Sequence, residues 1–153
     1  MRRKVYLFLT FALVVGVSGI AWGEEAPASL YKRLGGYDAI AAVTDDFISR
    51  MANDPQLGKF FAGHSKDSLN RIRQLVVDQL CAATGGPCVY IGRDVKTTHT
   101  GLGITDADWD AAVKHLVATV DKFKVPAKEK EELLAIVSSL KKDIVEAGQP
   151  HQH

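Results

Sequence analysis

No charge sign dominates this sequence: 19 lysines and arginines stand against 18 aspartates and glutamates. Three of the basic groups (Arg2, Arg3, Lys4) and none of the acidic ones fall in the first 23 residues, so the remainder is slightly acidic. A chain without a basic face has no electrostatic footprint for nucleic acid, and none is expected as a partner. The mean hydropathy of −0.02 excludes a polytopic membrane protein. Period-two alternation is also missing; Cys88 to Ile91 is the sole strand candidate. Internal repeats and linkers are absent, and the glycine groups Gly35-Gly36 and Gly101-Leu102-Gly103 lack the strand-then-helix setting of a phosphate loop. What is present is ordinary: 153 residues, 46% hydrophobic, enough for one folded domain and too apolar for a disordered chain.

The first segment reads as an address. Met1 to Lys4 is basic, Val5 to Ile20 is apolar, and Ala21-Trp22-Gly23 places small residues where a signal peptidase reads them. Cleavage after Gly23 and export to the periplasm or the medium are expected, leaving residues 24–28 as a short extension and no stable membrane association. The competing reading is an uncleaved anchor, since the 19 uncharged residues from Val5 to Gly23 would span about 28 Å as a helix. No cysteine follows the apolar run, so lipid attachment is not expected. The two cysteines, Cys81 and Cys88, flank Gly85-Gly86-Pro87, which can fold the chain back. In an oxidising compartment they are expected to form a local disulfide; the alternative is one buried thiol and one loop thiol.

Helices punctuated by glycine follow. Ser29 can cap Leu30 to Leu34, closed by Gly35-Gly36. Ile40, Val43, Phe47 and Met51 mark a helix of about four turns, with Asp45, Asp46 and Arg50 facing away. Asp54-Pro55 opens a short helix ending at Phe60-Phe61. Leu69, Ile72, Val76 and Leu80 form another stripe, closed by Thr84-Gly85-Gly86-Pro87, and a brief turn runs from Val95 to Thr100. Thr105 caps a helix with Trp109, Ala112, Val113, Leu116, Val120 and Phe123 on one face. Pro126 opens the last helix, with Leu133, Ile136, Val137, Leu140 and Ile144 inward; the tail 148–153 is expected to fray. The fold class is all-α. The acids Asp106, Asp108 and Asp110 suit the start of a helix and lack the glycine and terminal glutamate of a calcium loop. Lys122, Lys124, Lys128 and Lys130 read as a solvated face.

The order of these signals resembles the group I truncated haemoglobins. The resemblance is carried by Leu34-Gly35-Gly36 with Ala39-Ile40, by Asp54-Pro55-Gln56-Leu57 with Phe60-Phe61, and by Gly85-Gly86-Pro87 with Tyr90 and Gly92-Arg93. Above all it rests on His99-Thr100-Gly101-Leu102-Gly103-Ile104-Thr105. It implies a globin domain over residues 29–147, folded as a two-over-two helical sandwich around haem b. It also implies that His99 is the proximal iron ligand; as one of five histidines at the end of a polar turn, it would otherwise pass for a surface residue. By position, Phe61 should meet the haem edge with Phe60 and Phe47 behind it. Ile72, Val76, Leu80, Val95, Ile104, Trp109, Leu116 and Val137 should line the remaining walls, although plain core packing is the simpler account of each. His115 is expected to pack or be exposed, and His151 and His153 to be solvated.

The distal side departs from the resembled family. Its members usually carry a tyrosine, whose hydroxyl hydrogen-bonds the bound diatomic ligand, at the position of Ile48, and glutamines at those of Ile72 and Val76. In the best register Gln74 and Gln79 point aside, the alternative being that one enters the pocket if the helix turns differently. His64, in the preceding loop, is expected to be exposed, the alternative being a sixth ligand to the iron. The resemblance implies a protein that reversibly binds O2, NO or CO. The alternative, a haem enzyme with nitric oxide dioxygenase or peroxidase-like activity, would need a separate electron donor, because the sequence supplies no reductase domain. A haem-free helical interaction module is the third reading.

Overall fold

The computed structural model describes residues 27–146, and every regular element among them is helical. The expected signal segment 1–23 and tail 148–153 lie outside the described residues. In chain order the helices are α1 (Leu30–Arg33), α2 (Gly36–Ala52), α3 (Lys66–Ala83), α4 (Val95–His99), α5 (Asp106–Lys122), α6 (Ala127–Ser139) and α7 (Lys141–Ile144). A single 3₁₀ turn, Gly58–Phe60, links α2 to α3. Cys88 to Ile91 is irregular rather than a strand.

The caps follow the sequence. Ser29 Oγ accepts the Lys32 N–H, and Ser65 Oγ accepts that of Ser68. Thr105 and Asp108 form a reciprocal capping box at the start of α5. Gly35 takes φ +97°, a left-handed corner between α1 and α2 that a side chain would strain. After α3 the Gly86 N–H returns to the Cys81 carbonyl at 2.8 Å. There the backbone passes so close that a Cβ on Gly86 would lie 2.5 Å from Tyr31 and 2.7 Å from Cys81 Sγ.

α2 is the hub, packing along α3 and α5, while α1 joins α2 and α6, and α4 packs on α7. Two clusters fill the interior: Ile40, Val77 and Cys81, and Leu116, Val120 and Leu133. Leu80 touches both. Burying each such aliphatic side chain contributes roughly 1.5–3 kcal/mol. The disulfide between Cys81 and Cys88 closes over the first cluster and fixes the start of the loop toward α4. Arg33 pairs with Glu129 and Glu132, tying α1 to α6.

Four expectations are corrected. Asp46 does not face away: its carboxylate accepts from Thr119 Oγ1 on α5 at 3.0 Å and pairs with Arg50 and Lys122. The hydrogen bond from Arg50, followed by that from Lys122, holds this carboxyl well below the usual carboxylate range. Phe123 turns outward, because α5 closes through Lys124 in a left-handed conformation while the Val125 N–H returns to the Val120 carbonyl. The last helix is two helices, α6 and α7. Ser139 Oγ bonds the Ile136 carbonyl at the break, and Leu140 N–H reaches back only three residues, to Val137. The helix expected from Asp54 to Phe61 shrinks to a turn, with Asp54 Oδ1 accepting the N–H groups of Gln56 and Leu57.

Candidate haem site

The short helix α4 carries His99 and is built by its own polar residues. Asp94 caps it, accepting the Thr97 N–H at 2.8 Å and the Thr97 hydroxyl at 2.7 Å. The backbone hydrogen bond from Thr97 and then that from its hydroxyl lower the Asp94 pKa. One turn on, His99 Nδ1 lies 2.7 Å from the Val95 carbonyl oxygen. A carbonyl only accepts, so Nδ1 holds the proton, and in the neutral ring the lone pair stands on Nε2. Nε2 makes no hydrogen bond among the described residues, and the ring is half-buried. This is the arrangement of a metal-ligating histidine whose orientation is fixed by its second nitrogen.

The loop after His99 is clamped. Glu146 accepts the Gly101 N–H, and its own N–H donates to the Ile104 carbonyl at 3.0 Å. Nothing in the sequence singled out Glu146. Asp94 is legible in the sequence as an Asp three residues before Thr97, a helix-capping pattern.

On α3, Val77 and Cys81 are fully buried toward α2, whereas Leu69, Ile72 and Val76 of the apolar stripe are only half-buried. α3 and α4 do not pack extensively on each other. The helix bearing the imidazole, α4, and α3 with its half-buried apolar flank therefore share few contacts. Of the other expected lining residues, Phe47, Leu80 and Val137 come together around buried Leu116. Ile104 and Trp109 are buried where α5 begins, and Val95 is half-buried on α4. Phe60 and Phe61 are half-buried at the 3₁₀ turn, with Lys59 Nζ 4.7 Å from the centre of the Phe60 ring. A cavity of about 20 Å³, room for a single water, lies among Leu34, Ile40, Val43, Leu80, Val120 and Leu133, so that Leu80 alone of the expected lining residues borders it.

Two carboxylates hold the Phe60-Phe61 turn against α5. Asp108, 2% exposed, accepts from Gln56 Nε2 at 2.8 Å and from the Thr105 N–H and hydroxyl, with Lys59 Nζ at 3.4 Å. Burial alone would raise its pKa; these hydrogen bonds outweigh it and bring the value down to about 2. Asp54 Oδ2 meets His115 Nε2 at 2.8 Å. That bond, then those from the Leu57 and Gln56 N–H groups, lower the Asp54 pKa. His115 is thus a structural partner of Asp54 rather than a packed or exposed ring. On the remaining groups, His64 is exposed, and Gln74 is held aside by Tyr37 and Asp78.

Among the described residues no three His, Cys, Asp or Glu side chains converge on a point that could hold a bare ion. One oriented imidazole, in a fold that leaves apolar side chains such as Val95, Ile72 and Val76 half-buried, would suit the iron of a haem. The residues present fit a haem.

Comparison with known proteins agrees. The bacterial-like globin family model matches residues 29–146. A group 1 truncated haemoglobin of Mycolicibacterium paratuberculosis is 35% identical over 127 residues, covering 82% of this chain and 91% of that protein. The 2/2 haemoglobin of Synechococcus sp. PCC 7002, solved in the cyanomet state with covalently attached haem, is 27% identical with a TM-score of 0.70. The match covers 77% of this chain and 98% of that one. Truncated haemoglobin from Tetrahymena pyriformis, 23% identical, shares the fold with a TM-score of 0.72 over 78% of this chain and all of its own. The chain belongs to the bacterial-like globins, as a group 1 truncated haemoglobin: a two-on-two helical protein that binds haem and, on it, diatomic gases such as oxygen.

Proposed function

We propose that this globin holds haem b through His99 Nε2, and that it binds its gas reversibly against an apolar distal wall, after export from the cytoplasm. The observation that carries the reading is the His99–Val95 hydrogen bond, which fixes the ring through Nδ1 and leaves Nε2 without a partner among the described residues. When bound, the haem would supply a redox-active iron able to take a diatomic ligand. The chain's contribution is to fix the imidazole, bury the ring edges against Phe61, Val95, Ile72 and Val76, and exclude water.

Ile48, half-buried on α2, offers no donor to the ligand, and neither does Ile72 or Val76. A hydrogen bond to a ligand that gains negative charge is worth roughly 1.5–3 kcal/mol, or about 10- to 150-fold in affinity. Oxygen should therefore leave faster than from relatives that present a tyrosine, while carbon monoxide, less dependent on donors, should be held normally. The test is haemin reconstitution followed by stopped-flow dissociation of oxygen from wild type and Ile48→Tyr. The substitution should slow oxygen loss at least tenfold. A wild type as slow as its Ile48→Tyr variant would contradict the apolar distal wall.

Two features support export. The basic-apolar-small pattern of residues 1–23 is that of a secretory signal. The Cys81–Cys88 disulfide belongs to an oxidising compartment.

A further inference from the structure

Between α3 and α4 the chain runs irregularly from Thr84 to Asp94, and its exposed apolar residues do not hold it in place. Val89 is 76% exposed and Ile91 81%. Side chains fix the segment instead, in steps that lead from α3 to the His99 ring. Cys88 is bonded to Cys81 of α3. Two residues on, Tyr90 Oη donates to the Arg93 carbonyl at 2.6 Å, across a turn so tight that a Cβ on Gly92 would collide with that hydroxyl. Asp94 then caps α4 through Thr97, and the Val95 carbonyl holds His99 Nδ1.

Of these fixings only the disulfide reaches outside the segment. The other bonds join residues three or four apart, so they stiffen an arm from Cys88 to His99 without attaching it. Among the described residues no hydrogen bond joins residues 87–93 to any helix. The far end of the arm is held by α7, which packs on α4, and by Glu146, which accepts the Gly101 N–H. Without the disulfide the near anchor retreats to Gly86, whose N–H is held by the Cys81 carbonyl, and the arm gains a pivot at Gly86–Pro87.

We propose that the Cys81–Cys88 disulfide is a redox-dependent positioning device for the proximal histidine. Closed, it seats the arm so that the imidazole holds its place; open, it lets the ring stray, and haem is lost sooner. The proposal rests on His99 as the iron ligand. Closure turns two thiols into one S–S bond, releasing two protons and passing two electrons to a disulfide-bearing oxidant by thiol–disulfide exchange. Opening is the reverse, with a dithiol as the reductant. Cys88 is half-buried where Cys81 is sealed, so it offers the sulfur that an exchanging thiol reaches. Because the bridge persists in an oxidising compartment, export and firm haem retention are coupled.

The test uses the full chain loaded with haemin in four forms. These are oxidised wild type, wild type reduced with dithiothreitol and desalted anaerobically, Cys88→Ser, and Leu133→Ala, which weakens the core away from the arm. Haemin transfer to excess apomyoglobin should be about three- to tenfold faster from the reduced protein and from Cys88→Ser than from oxidised wild type. Dithiothreitol should add nothing to Cys88→Ser. The iron–histidine stretching band of the ferrous, ligand-free protein should shift or broaden in the same two forms and stay unchanged in Leu133→Ala. Faster haemin loss with an unmoved band, or the same band change in Leu133→Ala, marks a mere stability effect and overturns the proposal. So does a reduced wild type indistinguishable from the oxidised one, whether or not Cys88→Ser folds. An iron–histidine band that ignores the redox state overturns the arm alone; its absence from both states overturns His99 as the ligand as well.

Discussion

The two sides of α3 are buried to different depths by the same kinds of side chain. Toward α2 and α5, Val77, Cys81, Leu116 and Val120 are sealed, and hydrogen-bonded carboxylates such as Asp46 and Asp108 brace the surrounding helices. Away from α2, equally apolar residues of α3 (Leu69, Ile72, Val76) stay half-exposed, and so does Val95 on the five-residue α4. A side chain already sealed within the polypeptide stabilises the chain by itself. One left half-exposed contributes fully only when a flat apolar partner covers it. The packed side is the fold's own; the open side is the one we propose the haem covers.

That contrast can be broken most forcefully at Leu116. Leu116→Ala should cost about 2–5 kcal/mol in both haem-free and haem-loaded protein, measured by urea unfolding. Val76→Ala should change the haem-free protein by less than about 1 kcal/mol and chiefly speed haemin loss. Equal losses in the haem-free state would erase the distinction.

The disulfide comes next. Cys88→Ala opens a loop with a sequence separation of 7 and should lower stability by about 2–3 kcal/mol. Reductant should have the same effect on wild type, read as a shift of the urea midpoint, and no effect on the variant.

Acid sharpens the same comparison. Asp108 has a folded pKa of about 2, below the ordinary 3.8 of an unfolded aspartate. Its contribution, on the order of 2 kcal/mol, is therefore present above pH 5 and lost as pH falls toward about 2. Asp46, also lowered, acts with the same sign. Unfolding midpoints should fall through that window, and Asp108→Asn should flatten the dependence. A wild-type midpoint constant from pH 6 to pH 3 would count against the buried network.

Asp94→Ala should have the smallest global effect. It removes the cap of α4 alone, so the haem-free melting curve should barely move while haemin dissociates a few-fold faster.

Much of the packed side is legible in the sequence, because it is written in local chemistry. Ser29, Thr105 and Pro126 mark helix starts, and Gly35-Gly36 and Gly85-Gly86 mark the corners. The periodicity of Leu69, Ile72, Val76 and Leu80 reveals an apolar face of α3. It does not say that half of this face awaits a cofactor, since a ring edge and a neighbouring helix ask for the same residues. What escapes the sequence depends on partners distant along the chain. Asp46 points inward only because Thr119 and Lys122 meet it, and His115 finds Asp54 across 61 positions. Glu146 acquires a role only once α7 folds back on α4. The break at Leu140 turns on one serine hydroxyl competing for a carbonyl, too small a signal beside an unbroken apolar stripe.

The central claim is a bond from His99 Nε2 to a haem iron, and titrating haemin into wild type and His99→Gly, with and without added imidazole, tests it most directly. The account predicts a stoichiometric Soret band for wild type, its loss in His99→Gly, and its return when free imidazole fills the vacated place. An undiminished Soret band in His99→Gly, or a wild type that stays colourless, would contradict it.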